Sequence, residues 1–268
     1  MALFNVNYGS DVMNKYMGMN IIIPEGDLGI KDQDGKYAVI YLLHGYTDDY
    51  TKWCRLTAIE RYANDLGIAV VMPDGGKSFY SDMVHGDPYF TYLTEEVPAY
   101  VQKWLPITSD PAHTYIAGLS MGGYGAMKMA LTYPDRYKAA GSFSGALAMV
   151  EMANAPLPED AEPWLARTAI DIPLAFGDVS EISGSINDLF WLASEAKKSK
   201  KTLPHLYVSC GTEDFIYEHT TYFAGHLKSL EIPFNYYEEP GVHEWGVWDR
   251  AVKNFLEWAL GIGPAEEV

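Results

Sequence analysis

Basic side chains are scarce in this chain: 19 Lys and Arg stand against 36 Asp and Glu, for a formal net charge of −17 at pH 7. Nucleic acid and anionic membrane surfaces are bound mainly through Lys and Arg, so the deficit argues against both as partners. Cysteine is rarer still. Cys54 and Cys210 lie in different segments without metal-ligand spacing, which argues against a disulfide framework or a zinc site and fits buried free thiols in a reducing compartment. No apolar stretch approaches the roughly 20 residues needed to span a bilayer. The opening Met1-Ala-Leu-Phe-Asn-Val-Asn has neither a basic n-region nor an apolar h-region, so no secretory signal is read there and the expected location is cytoplasmic. Ser/Gly-rich or Pro-rich tracts, runs of like charge and internal repeats are also missing. Without a linker, residues 1–268 are expected to form one domain, and a hydrophobic fraction of 48% is ordinary for a globular chain.

What is present is an alternation of strand-like and helix-like segments. Strands are expected over 16–23, 38–43, 68–72, 138–143, 206–210 and 234–238. Helices are expected over 51–66, ending at Gly67, and over 89–105, 217–230 and 245–260. Pro98 should kink the second of these, since proline in a helix interior costs about 3 kcal/mol. The alternation predicts an α/β fold, a mostly parallel sheet with helices on both faces. Residues from about 147 to 200 break the pattern: Pro156, Pro158, Pro163 and Pro173 punctuate a region with one clear helix, near 186–197. It reads as a small insertion over the active site.

One stretch carries chemistry. Thr114-Tyr-Ile-Ala-Gly118-Leu-Ser120-Met-Gly122-Gly-Tyr-Gly125 runs from an apolar strand through Gly-x-Ser-x-Gly into a helix. Such a string also arises by chance in glycine-rich loops, and the chain has 24 glycines, so the context decides. Tyr115-Ile-Ala117 is strand-like, and Ala126, Met127, Met129, Ala130 and Leu131 form a helix ending near Pro134. A sharp strand-to-helix turn of this kind is the nucleophile elbow of an α/β-hydrolase, and it marks Ser120 as the nucleophile.

A serine hydroxyl needs an adjacent base, and the base needs a group that fixes its tautomer. In this fold the acid and then the histidine follow the serine in the chain. His205, His219, His226 and His243 lie beyond Ser120. His219 and His226 fall within an expected surface helix and read as solvated. His205 opens a strand. His243 sits in the loop after the last strand, where the fold places its base. The acid should leave the carboxyl end of the preceding strand. Cys210-Gly-Thr-Glu213-Asp214-Phe215 offers two carboxylates there, and Asp214 is preferred because Gly-x-x-Asp provides a turn from which to reach inward. Asp178 competes from the insertion, while Asp74 reads as a turn former. Oxyanion donors are expected at the N–H groups of Met121, after the nucleophile, and Tyr46, in the loop Leu43-His44-Gly45-Tyr46-Thr47. His44 reads as a brace for that loop.

With these residues placed, the chain resembles the putative-esterase (esterase D-like) branch of the α/β-hydrolases, which holds tributyrin-type acetyl esterases, feruloyl esterases and S-formylglutathione hydrolases. The likeness is greatest to bacterial tributyrin esterases. It rests on Tyr41-Leu-Leu-His-Gly45, Ile116-Ala-Gly-Leu-Ser-Met-Gly-Gly-Tyr-Gly125, Ser142-Phe-Ser-Gly-Ala146, Cys210-Gly-Thr-Glu-Asp-Phe215 and His243-Glu-Trp245 followed by Trp248, in that order. The resemblance implies a Ser120, Asp214, His243 triad with Tyr46 and Met121 as oxyanion donors, and it suggests a homo-oligomer. S-formylglutathione hydrolases usually read Ser-Gly-Leu-Thr-Cys where this chain has His44-Gly-Tyr-Thr-Asp48, so the thioester reading is weakened.

The expected reaction is hydrolysis of small, neutral carboxylic esters through an acyl-enzyme, with a short acyl group of acetyl type and neither metal nor organic cofactor. His243-Glu-Trp245 is not the His-Glu-x-x-His zinc pattern, and no dinucleotide or phosphate loop is present. A feruloyl esterase, an acyltransferase and a non-catalytic binding module are the alternatives, the last disfavoured because every part of a triad is present. Most of the 20 Tyr and 7 Trp should fill the core. Trp164, Trp191 and Trp245 are the ones expected to touch substrate.

Overall fold

The computed structural model describes residues 1–25 and 29–262. Its strands are β1 (Ala2–Ser10), β2 (Lys15–Ile23), β3 (Val39–Leu43), β4 (Ala69–Pro73), β5 (Thr114–Leu119), β6 (Ala139–Phe143), β7 (His205–Gly211) and β8 (Phe234–Glu239). They form one sheet in the order β1-β2-β4-β3-β5-β6-β7-β8. β1 and β2 form an antiparallel hairpin, β2 meets β4 antiparallel, and every later pairing is parallel. Strand order reverses around β3, the arrangement that opens a ligand crevice at the carboxyl ends of the strands.

Every residue of β3, β4 and β5 is buried, because helices cover both faces of the sheet. The two-residue period of a strand divides the core cleanly. Val39, Tyr41 and Leu43 of β3 point into one cluster with Met127 and Ala130, while Ile40 and Leu42 point into the other with Trp53, Val252 and Phe255. The helices are α1 (Lys52–Leu56), α2 (Ile59–Leu66), α3 (Tyr89–Thr91), α4 (Val97–Trp104), α5 (Met121–Thr132), α6 (Met149–Asn154), α7 (Pro163–Phe176), α8 (Leu189–Lys198), α9 (Tyr217–Ser229) and α10 (Trp245–Ala259).

Several expectations are corrected. The helix expected over 51–66 is two helices, broken where Thr57 is extended at φ −134° and ψ 172°. Its hydroxyl accepts the Ile59 N–H at 3.2 Å and donates to the Trp53 carbonyl, closing one helix and opening the next. Pro98 produces a π-turn rather than a simple kink: Tyr92–Glu96 is π-helical between α3 and α4. The Thr94 carbonyl, which Pro98 has no N–H to reach, accepts from Arg136 Nη1 at 2.9 Å. The insertion holds three helices, not one. Pro163 opens α7 in its first turn, a position where a missing N–H costs nothing, so proline there starts a helix instead of breaking one. β1 was not anticipated at all.

Candidate active site

Sheet register brings the site loops level. Leu43 pairs with Gly118, Leu119 with Phe143, Phe143 with Ser209 and Gly211 with Glu239, so β3, β5, β6, β7 and β8 all end at one rim. Ser120 leaves β5 there with φ 52° and ψ −118°, a left-handed conformation that is strained for a residue with a Cβ. Two glycines make the turn possible. A Cβ on Gly118 would lie 2.5 Å from the Gly122 backbone, and one on Gly122 would lie 2.5 Å from the Leu43 carbonyl oxygen. Hydrogen bonds hold the elbow: the Ser120 N–H donates to Phe143 O at 2.9 Å, and the Ala146 N–H donates to Ser120 O at 3.1 Å.

The loop after β3 lies against the serine, since a Cβ on Gly45 would sit 3.7 Å from Ser120 Cβ. Among the described residues, the N–H of Tyr46 donates to no protein acceptor, and that of Met121 is at the start of α5, where helix geometry supplies none. His44 braces the loop from beneath. It is fully buried, takes the Gly75 N–H on Nε2 at 2.9 Å and donates from Nδ1 to Gly45 O at 2.8 Å. Asp74 closes the neighbouring turn by accepting the Gly76 N–H at 2.9 Å.

Asp214 and His243 are brought together. The Asp214 carboxylate is buried, with its two oxygens 3.0 and 2.9 Å from His243 Nδ1, and it also accepts the Ile216 N–H at 3.0 Å. Burial pushes this carboxyl up, but His243 and the surrounding donors outweigh burial and hold it below the usual carboxylate range. Glu213 does a different job. Its backbone N–H donates to Gly241 O at 3.0 Å while its carboxylate accepts the Gly241 N–H, stapling the Asp214 loop to the His243 loop. Asp178 is exposed and caps a turn, accepting the Ser180 N–H at 2.9 Å and the Ser180 hydroxyl at 2.7 Å.

His243 itself lies between Phe215, at a ring separation of 4.7 Å, and Trp248 at 4.8 Å. Trp164, on α7, lies tilted against Phe215 at 5.6 Å, so it joins the histidine through one intervening ring. Trp245 is wedged between Trp53 and Trp248, at 5.3 Å from each, where it packs α10 on α1. Trp191 is exposed on α8, and among the described residues its ring meets no other aromatic ring.

His219 and His226 are not the solvated side chains expected. α8 covers α9, so His226 is half-buried with Nε2 2.9 Å from Phe190 O. His219 is half-buried too, its Nδ1 is unpartnered, and burial lowers its pKa. His205 is exposed beside Trp258. Phe215 and Asp171 are neighbours of the site that the sequence did not single out. Asp171 is buried on α7 and accepts the Tyr46 hydroxyl at 2.5 Å. The one local hint was a lone carboxylate between Ile170 and Ile172. Among the described residues, no group of three or more His, Cys, Asp or Glu is placed to hold a metal ion, and no helix is long and apolar enough to cross a membrane.

Comparison with known proteins agrees with this architecture. The family described as "Putative esterase" matches residues 10–256. An acetyl esterase from Caldicellulosiruptor saccharolyticus is 30% identical over 263 residues, covering 96% of this chain and 98% of the relative. The fluorophosphonate-binding serine hydrolase F of Staphylococcus aureus is 29% identical with a TM-score of 0.85, covering 97% of this chain and 98% of that one. The S-formylglutathione hydrolase of Staphylococcus aureus is also 29% identical, with a TM-score of 0.83 over the same shares of the two chains. A family match over nearly the whole length, on an α/β-hydrolase sheet, fixes the class: this chain belongs to the putative-esterase family and is a carboxylic ester hydrolase.

Proposed function

We propose that the protein is a serine carboxylesterase that hydrolyses short-chain, acetyl-type esters through an acyl-enzyme. The observation that carries the reading is the Asp214 carboxylate on His243 Nδ1, which leaves Nε2 as the nitrogen for a serine proton at the rim where Ser120 emerges. Ser120 attacks the ester carbonyl as His243 takes its proton, and Asp214 stabilises the imidazolium. The N–H groups of Tyr46 and Met121 receive the developing oxyanion. The alcohol leaves with the proton held on His243, and water then repeats the sequence on the acyl-enzyme. The acetyl preference is supported by the similarity to an acetyl esterase along 96% of the chain. Small neutral esters suit a protein with this acidic charge, and the cysteine usage supports action in the cytoplasm.

A second reading is feruloyl ester hydrolysis, favoured by the line of rings from Trp164 through Phe215 to His243, which could receive a planar hydroxycinnamoyl group. A thioester substrate is named for two structural relatives, but Asp48 stands where S-formylglutathione hydrolases usually carry cysteine.

The deciding measurement is kcat/KM on p-nitrophenyl acetate against methyl ferulate, with S-formylglutathione as a third substrate. Preference for acetate supports the first reading, preference for ferulate the second. Ser120→Ala should lower kcat about 10⁶-fold, and retained turnover would remove Ser120 as the nucleophile.

A further inference from the structure

The insertion reaches the loop beside the nucleophile through one buried contact. Tyr46 and Asp171 lie 125 positions apart in sequence, yet the Tyr46 hydroxyl donates to Asp171 Oδ2 at 2.5 Å. Only 7% of Tyr46 and 4% of Asp171 is exposed, so water cannot substitute for either partner. The other carboxylate oxygen is taken up one helical turn earlier on α7. Arg167 reaches Asp171 Oδ1 with Nε at 2.9 Å and with Nη2 at 2.8 Å. The Tyr46 ring is held as well as its hydroxyl: Phe79 stands 5.6 Å from it, Phe79 packs 5.6 Å from Phe176 of α7, and the Lys77 ammonium lies 4.7 Å from the Tyr46 ring centre.

We infer that Asp171 is a positioning residue for ester hydrolysis: its carboxylate anchors the Tyr46 phenol and so aims the Tyr46 backbone N–H at the oxyanion formed on the substrate of Ser120. The inference rests on the reading of Tyr46 as an oxyanion donor. The loop from His44 to Thr47 has two anchors, one at each end of its critical peptide groups. His44 is pinned to Gly75 and Gly45 from beneath the sheet rim, and Tyr46 is pinned to α7 from above. Gly45 between them is pressed against Ser120. With both flanking side chains fixed, the peptide that carries the Tyr46 N–H has little freedom to rotate. Oxyanion donors act through preorganisation, so a donor that must be reoriented during the reaction loses much of its effect. A buried carboxylate is also a poor means of stabilising a helix, and an apolar residue would serve α7 as well. What Asp171 supplies that an apolar residue would not is a fixed acceptor for the phenol. The insertion is on this account part of the catalytic apparatus.

The test uses Tyr46→Phe, Asp171→Ala, Asp171→Asn and the double variant Tyr46→Phe/Asp171→Ala in the full-length enzyme. The readouts are kcat and KM on p-nitrophenyl acetate and the inhibition constant of a trifluoromethyl ketone, whose adduct carries an oxyanion. Tyr46→Phe and Asp171→Ala should each lower kcat roughly 10- to 100-fold with KM within about twofold, the signature of a contact realised in the transition state. The ketone should weaken by the same factor as kcat. The double variant should be no worse than the worse single one, since both remove the same contact. Asp171→Asn keeps a carbonyl oxygen for the phenol and should recover part of the loss. Single variants with kcat within about twofold of wild type, or losses that multiply in the double variant, would overturn the inference. If Asp171→Ala does not fold, Tyr46→Phe removes a single oxygen, leaves α7 intact and decides the matter alone. Ser120→Ala separates the two levels. An active Ser120→Ala undoes the underlying reading, whereas an inactive one beside a fully active Tyr46→Phe undoes only the role of Asp171.

Discussion

Trp248 stands edge-on to His243, with ring centroids 4.8 Å apart and planes at 84°, while its indole N–H donates to Ser144 Oγ at 3.1 Å. Ser144 follows β6 and is itself held in a left-handed conformation, with φ 46°, by a bond from its N–H to Ser209 O at 2.7 Å. The first turn of α10 is thereby tied to the rim of the strand that lies between the elbow strand and the acid strand. His243 belongs to the loop after β8, three strands from Ser120, and this tie draws it back across the sheet.

Trp248→Phe tests the tie. A six-membered ring survives, but the pyrrole half of the buried indole and its N–H donor are lost, so the Ser144 hydroxyl loses that partner, at a cost of about 1–3 kcal/mol in urea unfolding beyond the lost packing. If the bond also aims the histidine, kcat on p-nitrophenyl acetate should fall several-fold with KM little changed. A stability loss at full kcat would leave Trp248 as packing alone.

The choice of acid is open to direct trial. Asp214→Asn should leave the fold intact but lower kcat about 10⁴-fold, because the amide favours the wrong imidazole tautomer. Asp178→Asn should stay near wild type, since among the described residues the Asp178 carboxylate bonds only to Ser180. The sign of the acid limb of stability follows from the same site. Although burial raises the Asp214 carboxyl, His243 and its other donors lower it more, so its folded value is depressed. Its contribution is present above the ordinary carboxylate pKa and is lost as pH falls through the depressed value. Near-normal kcat in Asp214→Asn, with a deep loss in Asp178→Asn, would move the acid to the insertion.

Ser120, Asp214 and His243 were legible because each sits at a point where local chemistry and chain order coincide: a Gly-flanked turn, a Gly-x-x-Asp exit and a loop before the last helix. The strands from β3 to β7 were legible because two-sided burial leaves apolar runs. β1 was missed although Phe4, Val6 and Tyr8 alternate with Asn5, Asn7 and Gly9; it is an edge strand beside β2 and exposed along most of its length, so it carries no continuous apolar run. α6 and α7 were hidden by reading prolines as breakers, although Pro163 occupies a helix first turn. The Tyr46–Asp171 contact had no local signal beyond the lone carboxylate between Ile170 and Ile172. A pairing between residues 125 positions apart exists only once α7 has folded over the β3 loop.

Two helix glycines, Gly122 of the elbow and Gly225 of α9, predict opposite outcomes. Gly122→Ala would place a methyl 2.5 Å from the Leu43 carbonyl and 2.7 Å from that of His44, both backbone atoms that cannot rotate away. Overpacking of this kind costs about 1–3 kcal/mol, and the displaced loop is the one that carries Tyr46. Activity should therefore fall by more than the stability loss implies. Gly225→Ala, in the exposed interior of α9 with nothing within 4 Å of the new methyl, should instead stabilise by about 0.5–1 kcal/mol without altering kcat. Thermal unfolding with parallel kinetics reads both, and a harmless Gly122→Ala would mean the elbow can relax.

Lys128 makes the last prediction, because it is an ammonium with 1% exposure on the helix that follows Ser120. Its Nζ bonds Ser81 Oγ at 2.6 Å, Asn187 Oδ1 at 2.7 Å and Tyr80 O at 3.5 Å, all neutral acceptors, and it lies 5.0 Å and 5.8 Å from the rings of Phe90 and Tyr124. Asp82 is the acidic group whose charge acts on it, Asp188 acts on the neighbouring Tyr124, and among the described residues Lys128 forms no ion pair. Burial pushes its pKa down to about 7, with Asp82 pulling weakly the other way. The folded value is therefore depressed for a base, and between about 7 and 10.5 the unfolded chain binds the extra proton. Stability should rise with pH across that window, by at most ~1.4 kcal/mol per pH unit from this group. Lys128→Met keeps an unbranched chain in the same space and removes the titration. Urea midpoints from about pH 6.5 to about pH 9.5 should climb more steeply for the wild type than for Lys128→Met. Parallel slopes would mean that the three oxygens hold the ammonium charged, and that the link between α5 and the insertion through Asn187 is a charge-assisted hydrogen bond at every working pH.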